Sequence, residues 1–231
     1  MTRAASIAAE RLALAAPLVG AGVALAIADP KGDPLQPFPE ESACLSSRAV
    51  ARRRSEFSAG RAAARNAMVK LGIEPRPVLA GDDRAPIWPR GLVGSISHTY
   101  NCAMAAVARR GDVESIGIDA EEGTPLEEQL FSAICSVNEQ AWLSTQDEPA
   151  LLAKLVFSAK EAAYKCQYPL SGRLFGFDGM ELEIDRDAGV FKAVFTADQP
   201  PFNRGDAIRG RFAIGSGLIV TAAELRAREV P

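Results

Sequence analysis

The chain has 231 residues, 48% of them hydrophobic and 24% charged, a balance that supports a packed core and excludes wholesale disorder. Lysine and arginine total 26 against 29 acidic residues, so no overall basic charge points to nucleic acid. His98 is the single histidine, which excludes a multi-histidine metal centre, and Cys44, Cys102, Cys135 and Cys166 are too widely spaced for a zinc ribbon, a CxxC pair or an iron–sulfur pattern. Scattered, mostly buried thiols in a reducing, cytoplasmic compartment fit them best.

An apolar run from Leu12 to Ala28 ends in Ala26-Ile27-Ala28, in the manner of a secretion signal's cleavage site. Glu10, Pro17, Gly20 and Gly22 oppose that reading, and the alternation of Val19, Ala21, Val23, Leu25 and Ile27 predicts a strand. The run is too short and too broken for a membrane span. Residues 29–41 are proline-rich and read as a loop. Ser46 or Ser47 can cap a helix reaching about Leu71, ended by Gly72 and Pro75. Its apolar face is Phe57, Ala64, Met68 and Leu71, and Arg54, Arg61 and Arg65 form a stripe whose plain reading is a solvated face. Residues 75–93 read as a loop, followed by an apolar segment Cys102–Ala108, a turn at Arg109–Asp112 and a strand Val113–Ile118. Helices are predicted at Leu126–Ser136, Asn138–Ser144 and Pro149–Gln167, and strands at Met180–Ile184, Val190–Phe195, Ala207–Ile214 and Leu218–Ala223. The class is α+β, divided near Arg110–Val113 into an N-terminal half, 1–112, and a C-terminal half, 113–231.

Three short stretches carry chemistry. In SIGIDAEEG, Ser115–Gly123, a strand places Ile116 and Ile118 on one face and Gly117, Asp119 and Glu121 on the other. Two carboxylates on one strand face repel each other, a poor structural choice and a good hard-cation site. In FSAKEAAYK, Phe157–Lys165, a helix gathers Lys160, Glu161, Tyr164 and Lys165 within about a turn. Glu161 and Lys165 could equally form an ordinary i,i+4 pair, stabilising by ~0.3–0.5 kcal/mol. GSISH, Gly94–His98, offers backbone N–H groups, two hydroxyls and an imidazole, all compatible with phosphate. It lacks the G-x-S-x-G of a serine hydrolase, and a lone histidine is often a structural side chain.

Taken in order, RRRSEFSAGRAAARNAM (Arg52–Met68), GDDRAPIWPRGLVGSISH (Gly81–His98), IGIDAE (Ile116–Glu121) and FSAKEAAYK resemble the 4′-phosphopantetheinyl transferase superfamily, in its longer monomeric branch associated with surfactin and enterobactin synthases. LFGFDGMELEI (Leu174–Ile184) and GRFAIGSGLIVTA (Gly210–Ala222) are similar to the family's closing strands, so the resemblance covers most of residues 45–222.

The resemblance implies two similar α+β halves related by a pseudo-two-fold, with coenzyme A in the cleft between them. It implies Mg²⁺-dependent transfer of 4′-phosphopantetheine from coenzyme A to a serine of an apo acyl, peptidyl or aryl carrier protein, releasing adenosine 3′,5′-bisphosphate. Secondary-metabolite and siderophore synthases are the pathways it favours. Residue by residue, Asp119, Glu121 and Glu161 match metal-binding carboxylates. Lys165, Lys160 and His98 match phosphate contacts, with Ser97 in the same loop, and Arg54, Arg61 and Arg84 match basic residues near the adenosine and 3′-phosphate. Catalysis then falls on Glu161, Asp119, Lys165 and His98. The expectation is a monomeric enzyme with no nucleic-acid or membrane partner. The alternative is a non-catalytic coenzyme A- or nucleotide-binding protein of the same fold, against which the full set of carboxylates and lysines argues.

Overall fold

Residues 3–32, 36–226 and 230 are described by the computed structural model. Helix α1 (Arg3–Ala15) forms where the sequence pattern gave no element. A 3₁₀ turn, Ala16–Leu18, then carries Pro17, and Gly22 adopts a left-handed φ of 85°. The strand expected from Val19 therefore begins only at Val23, as β1 (Val23–Ala28). A short helix, α2 (Pro39–Ser42), lies within the expected proline-rich loop. Helix α3 (Ala51–Lys70) starts later than a serine cap would place it. Val50 holds its N-cap position, and the Ser46 hydroxyl accepts instead from the Arg48 N–H in the preceding turn.

The expected loop over residues 75–93 contains a small hairpin, β2 (Leu79–Ala80) with β3 (Pro86–Ile87). Strands β4 (Leu92–His98) and β5 (Ala103–Arg109) follow, and with β1 they form an antiparallel sheet in the order β1-β5-β4. Ala63, Ala64, Ala67 and Met68 of α3 pack with Ala24, Ala26, Ala105 and Val107 of this sheet, and such small side chains let helix and sheet approach closely.

Beyond the turn at Arg109–Asp112, β6 (Ser115–Glu122) starts later than expected and continues past Ile118, so Asp119 and Glu121 both lie inside the strand. The expected helix over 126–136 is split into a 3₁₀ turn, Glu128–Leu130, and α4 (Phe131–Ile134). It stops there because Ser136 and Glu139 form a capping box that opens α5 (Val137–Leu143). Helix α6 (Pro149–Ser171) follows and ends at Gly172, which takes a φ of 62°. Strands β7 (Met180–Asp185), β8 (Val190–Phe195), β9 (Ala207–Gly215) and β10 (Leu218–Leu225) complete a five-stranded antiparallel sheet, β6-β10-β9-β8-β7. The fold is thus α+β, with two sheet-containing halves.

Two joints position the site. Buried Arg11 of α1 donates to the carbonyls of Asn101 (2.8 Å), between β4 and β5, and Ser216 (3.4 Å), between β9 and β10, which ties the two sheets together. Gly117 of β6 lies directly under α6: a Cβ there would stand 1.8 Å from the Ala162 carbonyl oxygen, so any side chain would drive the helix off the strand. Cys102, Cys135 and Cys166 are buried free thiols and Cys44 is an exposed one, as scattered core cysteines should be. Among the described residues, no helix is long and apolar enough to cross a membrane.

Candidate active site

The edge strands of the two sheets, β4 and β6, face each other across a seam. The β6 amides of Ile118 and Ala120 point away from their own sheet and donate to the hydroxyls of Ser95 (3.0 Å) and Ser97 (3.2 Å). The alternating serines of GSISH thereby satisfy an otherwise open sheet edge. Ser97, expected beside a bound phosphate, is buried and also donates to Asp119 Oδ1 at 2.9 Å. Its placement makes it a holder of the acidic residue.

Asp119 is buried at the centre of this seam. Lys165 of α6 donates to Oδ1 at 2.6 Å and to the Ile118 carbonyl at 3.3 Å, while the Ser158 hydroxyl donates to Oδ2 at 2.9 Å. Glu121 lies further along the same face of β6, with Lys154 of α6 at 3.7 Å from its Oε2. Burial and the Asp119 charge push the Glu121 carboxyl up to about 6, against the opposing pull of Lys154 and Lys165. Burial also raises Glu161, with Asp119 adding and Lys165 opposing.

Among the described residues, no three His, Cys, Asp or Glu side chains stand gathered around one ligating point. The donor chemistry nevertheless suits a hard divalent cation: three carboxylates, no thiol, and two of the three raised by burial and a neighbouring negative charge that a cation would relieve. Glu121 gives a test of this stored repulsion. Its folded value lies above the ordinary 4.5, so the ionised form is the penalised one, and stability falls as pH rises from about 4.5 through about 6. Glu121→Gln removes the penalty. In metal-free buffer, the melting temperature of the variant relative to wild type is expected to climb as pH rises through that window. A difference independent of pH would contradict the strain.

Across the seam, His98 at the end of β4 meets Arg53 of α3, whose guanidinium lies 3.0 Å from Nε2. Arginine can only donate, so Nε2 accepts and the ring proton sits on Nδ1, facing Glu56 Oε2 at 3.8 Å. Burial lowers the His98 pKa, Arg53 and Lys165 lower it further, and Glu56 opposes them. The resemblance points to Arg54, whereas the arginine at the seam is its neighbour Arg53. Arg54 is exposed and donates to the carbonyls of Ala49 (2.9 Å) and Ser47 (2.7 Å), closing the turn before α3.

Two other basic residues are placed differently from what the resemblance implies. Arg61 is buried, stacks over Phe57 and donates to the carbonyls of Val78 (2.8 Å) and Leu79 (3.3 Å); desolvation lowers its pKa to about 10. Lys160 is buried, with its ammonium bonded to Glu139 Oε2 (2.8 Å) and the carbonyls of Ile134 and Phe177 (2.9 Å each). Arg61 and Lys160 thus hold loops and elements together. Arg84 is exposed with a φ of 67° and lines a cavity of about 460 Å³ with Asp83, Trp88, Gly94, Ser95, Tyr164, Lys165 and Tyr168. Both halves contribute to this cleft. A hollow of about 230 Å³ opens beside Glu161, walled by Tyr164, Phe175, Phe177 and Met180. A further hollow, about 580 Å³, lies on the outer face of β7–β10 and includes none of the candidate residues.

An acidic strand, a Lys-Glu helix and a Ser/His strand meeting at the seam of two α+β halves define a site able to hold an anionic ligand against paired cations. Residues 40–108 match the family described as 4′-phosphopantetheinyl transferase N-terminal domain, and residues 115–214 match the 4′-phosphopantetheinyl transferase superfamily. The chain is 41% identical over 208 residues to the 4′-phosphopantetheinyl transferase Svp of Streptomyces mobaraensis, covering 87% of this chain and 84% of that one. It is 38% identical to the 4′-phosphopantetheinyl transferase PptT of Mycobacterium tuberculosis, covering 85% and 88%. Enterobactin synthase component D of Salmonella typhi is 37% identical over 136 residues, 57% of this chain and 55% of that one. The chain belongs to the 4′-phosphopantetheinyl transferase superfamily and is an enzyme of that type.

Proposed function

We propose that the protein transfers the 4′-phosphopantetheine group of coenzyme A to a serine of an apo carrier protein, releasing adenosine 3′,5′-bisphosphate, with Mg²⁺ as cofactor. The observation that carries this reading is the convergence at one seam of Asp119, Lys165 and the His98–Arg53 pair, beside a cleft that both halves line. Asp119 and Glu121 would hold Mg²⁺, with Glu161 joining directly or through water, because Mg²⁺ retains much of its hydration. When bound, it neutralises charge on the pyrophosphate as phosphorus is attacked.

The chain's own groups do the rest. Lys165 and His98 bind the diphosphate oxygens, and Arg53 and Arg84 offer forked donors to the 3′-phosphate. The aromatic and methionine walls of the hollow that Lys160 and Glu161 also line suit the apolar part of the pantetheine arm. Glu161, whose pKa is raised by burial, accepts the carrier serine's proton, directly or through water. The serine oxygen bonds to the phosphorus that bears the arm, and the P–O bond to the nucleotide breaks, its electron pair leaving on the 5′-phosphate. No covalent enzyme intermediate is needed. Because both halves lie in one chain, the site can work as a monomer. The names of the enterobactin synthase relatives support a carrier from siderophore or related nonribosomal-peptide assembly.

The test is direct. Purified protein, coenzyme A, Mg²⁺ and a panel of apo acyl, peptidyl and aryl carriers should give a carrier heavier by one phosphopantetheine in mass spectrometry. EDTA, or alanine at the acceptor serine, should stop the gain. Coenzyme A binding with transfer to none of the panel would overturn the proposal.

A further inference from the structure

Asp119 is gripped from two sides. From β4 the Ser97 hydroxyl donates to Oδ1, and from α6 the Ser158 hydroxyl donates to Oδ2, both at 2.9 Å. Ser158 and Thr221 of β10 are both fully buried, with their hydroxyl oxygens 3.0 Å apart. Each hydroxyl has one proton. That of Ser158 lies on the carboxylate, so the contact between the two hydroxyls uses the proton of Thr221, which the Ser158 carbonyl shares at 2.9 Å. Thr221 therefore donates one proton shared between the Ser158 carbonyl and hydroxyl oxygens, and Ser158 donates to Asp119. Oδ1 accepts from Ser97 and Lys165, filling both lone-pair positions; among the described residues, Oδ2 accepts from Ser158 alone and keeps one position open.

We propose that Ser158, anchored by Thr221, is a positioning residue that sets the Asp119 carboxylate so that the open acceptor position of Oδ2 is available to the cation. Thr221 is the partner of Asp119 in the β6–β10 ladder, so the anchor and the carboxylate share one backbone register. The terminal torsion of an aspartate is broad and roughly two-fold, and a donor on each oxygen is what fixes it. Loss of an outer-sphere partner of this kind lowers metal affinity by roughly 10–100-fold. The proposal rests on the reading of Asp119 as a metal ligand.

Mn²⁺ titrated calorimetrically into the full chain, without coenzyme A or carrier, tests it. Ser158→Ala is expected to weaken Mn²⁺ binding by roughly tenfold or more. Thr221→Val, nearly equal in volume, should act in the same direction with smaller effect, and Ser158→Cys, a weak donor, should restore part of the loss. In turnover, the same variants should need more Mg²⁺ for half-maximal rate, with the KM for coenzyme A unchanged. Wild-type Mn²⁺ affinity in Ser158→Ala and Thr221→Val, alongside lost binding in Asp119→Asn, overturns the positioning role and leaves the ligand reading intact. No binding by wild type, or unchanged binding by Asp119→Asn, overturns both. Should Ser158→Ala fail to fold in a thermal melt, Thr221→Val decides.

Discussion

Asp119→Asn is expected to lower kcat by roughly 10²–10³-fold, the scale on which one group aimed at transition-state charge is felt. Asn keeps the size, and its one oxygen can accept from Ser97 while its amide N–H donates to a Ser158 hydroxyl turned round to accept, so far-ultraviolet circular dichroism and the melting temperature should change little. What it loses is the negative charge that faces Lys165 and that would hold the cation. The KM for coenzyme A should move far less than kcat, because the lost interaction strengthens only as charge develops on the pyrophosphate. Steady-state rates across a Mg²⁺ titration separate the cases. Near-wild-type kcat at saturating Mg²⁺ would mean that another carboxylate holds the cation, while a collapse of the fold would mean that Asp119 is chiefly a structural acceptor.

How far the site can be read from sequence depends on whether the partner of each residue is local. The strands after Met180 alternate cleanly between turns, and β7 to β10 lie close to where the pattern puts them. The placement of Gly117, Asp119 and Glu121 on one face follows from strand periodicity alone, and the fit of Gly117 under Ala162 bears it out. Ser95 and Ser97 could not be read the same way. Their role depends on β6 lying opposite β4, through bonds between residues 23 positions apart. Arg65 was hidden for the same reason: it pairs at 2.7 Å with Glu41, which is fully buried and also accepts the Val78 N–H. Helix α1 does carry a helical period, but its apolar residues run on into the Leu12–Ala28 stretch, whose signal-like and alternating pattern covers it, and its buried Arg11 is satisfied by two distant loops. Lys160 is the instructive case, since the signal was there. At 3.6 residues per turn, Lys160 and Lys165 point about 140° apart, whereas Glu161 and Lys165 share a face. Only one of the two lysines could have faced the cleft.

That geometry makes Lys160→Ala the substitution with the largest expected effect on stability. The ammonium and the Glu139 carboxylate are both almost wholly buried, with 3% and 2% of their side-chain surface exposed. Glu139 also accepts the N–H groups of Ser136 (2.6 Å) and Leu182 (2.7 Å), which joins the start of α5 to β7. Lys160 in turn links α6 to the carbonyls of Ile134 and Phe177, so one side chain connects four segments of the C-terminal half. Truncating it leaves a buried carboxylate without its cation and takes a donor from the buried Ile134 carbonyl and the half-buried Phe177 carbonyl. Breaking such a pair from one side costs about 3–5 kcal/mol. For a chain of this size that lowers the melting temperature by roughly 6–20 °C. Denaturant unfolding of Lys160→Ala and of the double variant Lys160→Met with Glu139→Gln decides the point. The double variant removes both charges and should recover much of the loss, whereas a direct contact between Lys160 and phosphate gives a different pattern: unchanged stability and a raised KM for coenzyme A. That second pattern would return Lys160 to the substrate. The first would show that the Lys-Glu dipeptide at 160 and 161 divides its work, the lysine holding the half together and the glutamate left to face the cleft.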